Sequence, residues 1–83
     1  MTMPEPAPDA AALGRAVQAV RAERGISQMQ LAEVTGFMQS WISNVEHGRR
    51  NVSWSNVGRL AEGLGVSISE LAARAELLSG GAA

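Results

Sequence analysis

The chain has 83 residues, 46% of them apolar and 18% charged, with seven basic groups (all arginine) against eight acidic ones for a net charge of −1. That is the size of one small domain, with enough apolar side chain for a core and too much for wholesale disorder. No cysteine is present and His47 is the one histidine, which removes disulfides, thiolate metal sites, cysteine nucleophiles and any Ser/His/Asp set. No enzyme activity, cofactor or metal is therefore expected. No apolar run approaches the roughly 20 residues of a membrane span. The opening MTMPEPAPDA lacks the basic and apolar regions of a signal peptide, so the expected setting is the cytoplasm.

Along the chain, Pro4, Pro6 and Pro8 make residues 1–8 a flexible, extended lead-in. Asp9 offers an N-cap to a helix over about 10–24, with Leu13, Val17 and Val20 at helical spacing and Gly25 as its stop. Ser27 caps a second helix over 28–35 with Leu31 and Ala32 inward, ended by Gly36. A third runs over 39–46 with Ile42 and Val45 inward, up to Gly48. Residues 49–53 form a polar loop. Ser53 or Ser55 then caps a fourth helix over 54–64, carrying Val57, Leu60, Ala61 and Leu64 and ended by Gly65.

Ser67-Ile-Ser-Glu70 is a capping box that opens a fifth helix over 68–78, with Ile68, Leu71 and Ala72 inward, joined by Leu77 and Leu78 near its end. Residues 79–83 read as a frayed tail. Sustained alternation of apolar and polar residues is missing, so the fold class is all-α, five short helices in a single domain over 9–78. Gly58 and Gly63 inside the fourth helix each cost about 1 kcal/mol against alanine. A helix packed closely there, from the same chain or a second subunit, would offset that cost.

The informative stretch is Gln28 to His47, QMQLAEVTGFMQSWISNVEH. It places a small residue, Ala32, where two steeply crossing helices come closest, and Gly36 where a tight turn needs positive φ. Leu31, Phe37, Ile42 and Val45 pin the second of those helices to the core. The polar residues left on it, Gln39, Ser40, Ser43 and Asn44, are the kind that read base edges in a major groove. The local charge agrees. Residues 10–50 hold Arg15, Arg21, Arg24, Arg49 and Arg50 against Glu23, Glu33 and Glu46, an excess of two positive charges in a chain that is negative as a whole.

These residues, together with Leu13-Gly-Arg, Val20-Arg-Ala-Glu-Arg-Gly-Ile-Ser-Gln, Leu31-Ala, Ile42-Ser, Glu46-His-Gly-Arg-Arg-Asn and Leu60-Ala-Glu-Gly-Leu-Gly-Val-Ser, resemble the Cro and phage-repressor helix-turn-helix family, also called the xenobiotic-response-element (XRE) family, over about residues 13–72. Trp41-Ile-Ser-Asn-Val-Glu-His-Gly-Arg-Arg-Asn is similar to a stretch of its small restriction–modification controller proteins. The resemblance implies a five-helix, lambda-repressor-like fold. It also implies a transcriptional regulator, a repressor or controller, that binds a near-palindromic double-stranded DNA operator as a homodimer, with helix 3 in the major groove.

Carried over by position, Gln28 holds a phosphate, Gln39, Ser40 and Asn44 face bases, and Ser43 stands at the base or backbone edge. Arg49, Arg50 and the backbone around Asn51 hold the flanking strand, and Arg21 and Glu46 match a buried salt bridge. Three residues depart from the pattern: Met38 where a Ser or Thr N-cap is usual, Val52 where proline is common, and Trp41 where a smaller polar residue or tyrosine is usual.

Trp41 has two open readings, packing against helix 1 or a dimer partner, or contact with a phosphate or thymine methyl. Trp54 is expected in an interface or the core, and His47 at the surface. The homodimer is expected through helix 5 and the end of helix 4, because Val66, Ile68, Leu71, Leu77 and Leu78 exceed what one small core should need. The competing function is an antitoxin-like or adaptor module in which the same fold binds a protein and DNA binding is secondary. The net charge of −1 speaks for it.

Overall fold

The computed structural model describes residues 9–79; the expected lead-in over 1–8 and residues 80–83 of the expected tail lie outside them. Five helices follow one another: α1 (Ala10–Glu23), α2 (Gln28–Thr35), α3 (Gln39–Glu46), α4 (Trp54–Leu64) and α5 (Ile68–Leu78). No strand occurs among the described residues. The expected helix 1 is one residue too long, since Arg24 is its C-cap, and the other four have the expected bounds.

Local chemistry sets these ends. The Asp9 carboxylate accepts the Ala12 N–H at 2.8 Å, and Ser53, not Ser55, caps α4 by accepting the Asn56 N–H. Ser27 with Gln30, and Ser67 with Glu70, each close a capping box. The Ser67 backbone N–H and then its hydroxyl hold the Glu70 carboxyl below its ordinary pKa.

Helix α1 lies chiefly against α5 and α3, while α2 packs on α4 and α3. The core between them is built from Val17, Leu31, Ile42, Val45, Leu60 and Leu71, so every helix contributes. Each such burial is worth about 1.5–3 kcal/mol. Close packing of α1 on α3 depends on Gly14. A Cβ there would overlap the Val45 carbonyl oxygen and stand 2.8 Å from that of Glu46. On the α5 side, Arg74 forks onto Glu23 at 2.6 and 3.0 Å, which holds the Glu23 carboxyl below its ordinary pKa. Arg15 donates to the Leu78 carbonyl at 2.7 Å, satisfying an end carbonyl of α5.

One expectation about apolar surface needs correction and a second is narrowed. Leu71 is fully buried in the chain's own core, and Val66, Ile68 and Leu78 are half-buried against it, so of the five residues taken as surplus only Leu77 is exposed. Trp54 is 66% exposed, so of its two expected places, an interface or the core, the core is excluded.

Candidate nucleic-acid interface

The α2–turn–α3 unit is built as the sequence spacing requires. Gly36 ends α2 with φ +81°, a value that costs a side-chain-bearing residue, and residues 36–38 carry the chain into α3. Leu31 anchors α2, Ile42 and Val45 anchor α3, and Ala32 and Phe37 are half-buried against the same core. Met38 stands at the N-cap of α3 and makes no side-chain cap bond, the departure that its identity implied.

With Ile42, Val45 and Glu46 turned inward, helical phase leaves Gln39, Ser40, Ser43 and Asn44 on one outer face of α3. Gln39 and Ser40 are exposed; Ser43 and Asn44 are half-buried. His47 lies one turn beyond Ser43 and Asn44, exposed, with its Nδ1 at 2.7 Å from the Ser43 carbonyl, an oxygen that can only accept. Its alignment with this face was missed from the sequence, although the i+3 and i+4 spacing from Asn44 and Ser43 contains it. Arg49, Arg50 and Asn51 follow in an exposed loop. Arg49 reaches back to the Asn44 side-chain oxygen at 3.5 Å, while the Arg50 and Asn51 side chains bond to no described residue.

Gln28 and Trp41 are less free than expected. The Gln28 Nε2 donates to Glu46 Oε1 at 2.9 Å, so the side chain is tied to the end of α3. An amide nitrogen carries two hydrogens, and the second remains for an acceptor such as a phosphate oxygen. Glu46 also takes a fork from Arg21, Nε at 2.6 Å and Nη2 at 3.1 Å. That hydrogen bond and the carboxylate's charge raise the Arg21 pKa against the desolvation that lowers it. The expected α1–α3 salt bridge is thus present, with the Glu46 side chain only 3% exposed. The Trp41 ring lies over Phe37, centroids 4.3 Å apart, and is half-buried. Its aromatic partner is the turn residue Phe37, and it also packs against the core cluster to which α1 contributes Ala16, Val17 and Val20.

The result is a five-helix domain that carries its polar outer helix face next to a pair of arginines, the arrangement of a helix-turn-helix protein. The chain belongs to the helix-turn-helix domain family, whose model matches residues 12–74. It is 37% identical over 62 residues to the control protein C.SmaI of Serratia marcescens, covering 75% of this chain and 74% of that one. It is 32% identical over 66 residues to the immunity repressor of Bacillus phage phi105, covering 80% of this chain and 46% of the repressor, so the match spans less than half of that protein. Its fold is also that of the clp gene regulator ClgR from Corynebacterium glutamicum, with a TM-score of 0.82, 30% identity and coverage of 92% and 80%. The family consists of transcriptional regulators, not enzymes. No described helix is long and apolar enough to cross a membrane.

Proposed function

We propose that this chain is a sequence-specific regulator of transcription that binds a near-palindromic duplex operator as a homodimer, with α3 in the major groove. The observation that carries the reading is the outer face of α3. Four short polar side chains, Gln39, Ser40, Ser43 and Asn44, stand there with no apolar residue among them, beside Arg49 and Arg50. Amide and hydroxyl groups match the donor and acceptor edges of base pairs, and the arginines match phosphates. Gln28 adds a phosphate donor at the start of α2, and the backbone around Asn51 a contact within the loop. Trp41, half-buried beside Phe37, would offer its remaining exposed surface to a phosphate or a thymine methyl. The names of the relatives, a repressor and a control protein, agree with this role.

Selection of duplexes from a random-sequence pool tests the reading. The expected product is a two-fold motif whose half-sites lie about 34 Å apart, one turn of B-DNA. Binding should weaken as salt rises, because phosphate contacts release counterions. A pool that shows no enrichment even at low salt would refute it and favour the adaptor reading, to which the net charge of −1 belongs.

A further inference from the structure

Four of the five helices open on a side chain that accepts a backbone N–H: Asp9, Ser27, Ser53 and Ser67. Helix α3 does not, since Met38 supplies no cap bond. This is also the helix whose first turn carries Gln39 and Ser40, where a loose geometry would blur any reading of bases. Something else must hold that turn.

The side chains that do so form a continuous brace from α4. Arg59 Nη2 donates to the Thr35 carbonyl, the last carbonyl of α2. Its guanidinium carbon lies 4.3 Å from the centre of the Phe37 ring, and that ring lies 4.3 Å from the ring of Trp41 in the first turn of α3. Thr35 closes the base of the brace: its hydroxyl donates to the Leu31 carbonyl at 2.7 Å and accepts the Phe37 N–H at 3.3 Å. The turn glycine makes room, since a Cβ on Gly36 would stand 3.3 Å from Arg59 Nη2. A planar guanidinium suits this place, where one edge bonds a carbonyl and the flat face covers an aromatic ring; an ammonium would do only one of the two.

We propose that Arg59 is a positioning residue for DNA readout, acting through Phe37 and Trp41 to fix the first turn of α3 in place of the missing cap. The proposal rests on the DNA-binding reading above for its consequence, but not for its structural half. The test is Arg59→Lys, which keeps the charge and removes the planar group. Its probes are the duplex that the wild-type chain enriches from a random pool and a scrambled duplex of equal length. Affinity for the enriched duplex should fall about two- to fivefold, with affinity for the scrambled duplex and the salt slope unchanged. Backbone exchange at Ile42, whose N–H bonds the Met38 carbonyl, and at Ser43 one residue on should quicken, while exchange at Leu71 and Ala75 in α5 stays at the wild-type rate. Phe37→Leu should reproduce this pattern, and the double variant should be no worse than either single one. Equal losses on both duplexes would make Arg59 a phosphate contact and overturn the proposal, as would wild-type behaviour of Arg59→Lys or unchanged exchange in α3. If the wild-type chain enriches no duplex, the DNA-binding reading fails by itself, and the exchange rates still decide whether Arg59 orders α3.

Discussion

Glu46 collects three hydrogen bonds from two other helices, two from Arg21 on α1 and one from Gln28 at the start of α2. It is the residue through which the end of α3 is fastened to the rest of the fold. Replacing it with alanine strands the Arg21 guanidinium, whose side chain is only 17% exposed, and leaves it the Ile26 carbonyl alone. Losing one partner of a buried pair costs about 3–5 kcal/mol, a large part of the stability of a domain this small. Glu46→Ala should melt more than about 10 °C below wild type; a shift of a few degrees in a thermal melt would contradict the burial described. The Arg21–Glu46 pair was legible through the family spacing. The Gln28 arm was not, because the partner of a flexible amide is decided by how closely α2's first turn approaches α3's last, which no local pattern encodes. The brace from Arg59 to Trp41 was hidden for the same reason: its three members come from a helix, a turn and a second helix.

At the scale of elements, the helix ends were legible because caps and stops are chemistry between residues three or four apart. What spacing misjudged was which apolar residues enter the core. Ala12, Ala16 and Ala75 are buried although their spacing does not single them out, because alanine occurs on every face of a helix and only the approach of a neighbouring helix decides which copy is covered. Leu77 is 77% exposed because Leu71, Ala75 and Leu78 follow one face of α5 at i, i+4 and i+7, and Leu77 falls about 100° away from Leu78. The two glycines within α4 separate in the same way. A Cβ on Gly63 would meet Thr35 Cγ2 at 2.5 Å and Leu31 Cδ1 at 3.1 Å, so the close neighbour is α2 of the same chain. A Cβ on Gly58 would meet only Ile68 Cδ1, at an ordinary 3.6 Å. Gly58→Ala should therefore stabilise the chain by about 0.5–1 kcal/mol through helix propensity. Gly63→Ala should destabilise it by about 1–3 kcal/mol through overpacking. Urea denaturation of both variants decides; changes of the same sign would contradict the α2–α4 packing.

For the whole molecule, five helices around one small core leave α5 committed to α1 on its inner face, with Leu77 and, at the start of α4, Trp54 left outside. The proposed homodimer would cover the first of these. Sedimentation of wild type at tens of micromolar should give twice the chain mass, and Leu77→Asp should shift it toward the monomer. A wild-type monomer with and without DNA would rule out a two-fold operator. Whether the α3 face reads bases while the loop arginines hold the backbone is decided by the binding of Gln39→Ala and Arg50→Ala to an enriched and a scrambled duplex at two salt concentrations. Gln39→Ala should lose about 1–3 kcal/mol on the enriched duplex and much less on the scrambled one. Arg50→Ala should weaken both about equally and flatten the salt dependence by a slope of roughly one for each phosphate no longer neutralised. If Arg50→Ala changes base preference and Gln39→Ala does not, the face that meets the bases is not the one described.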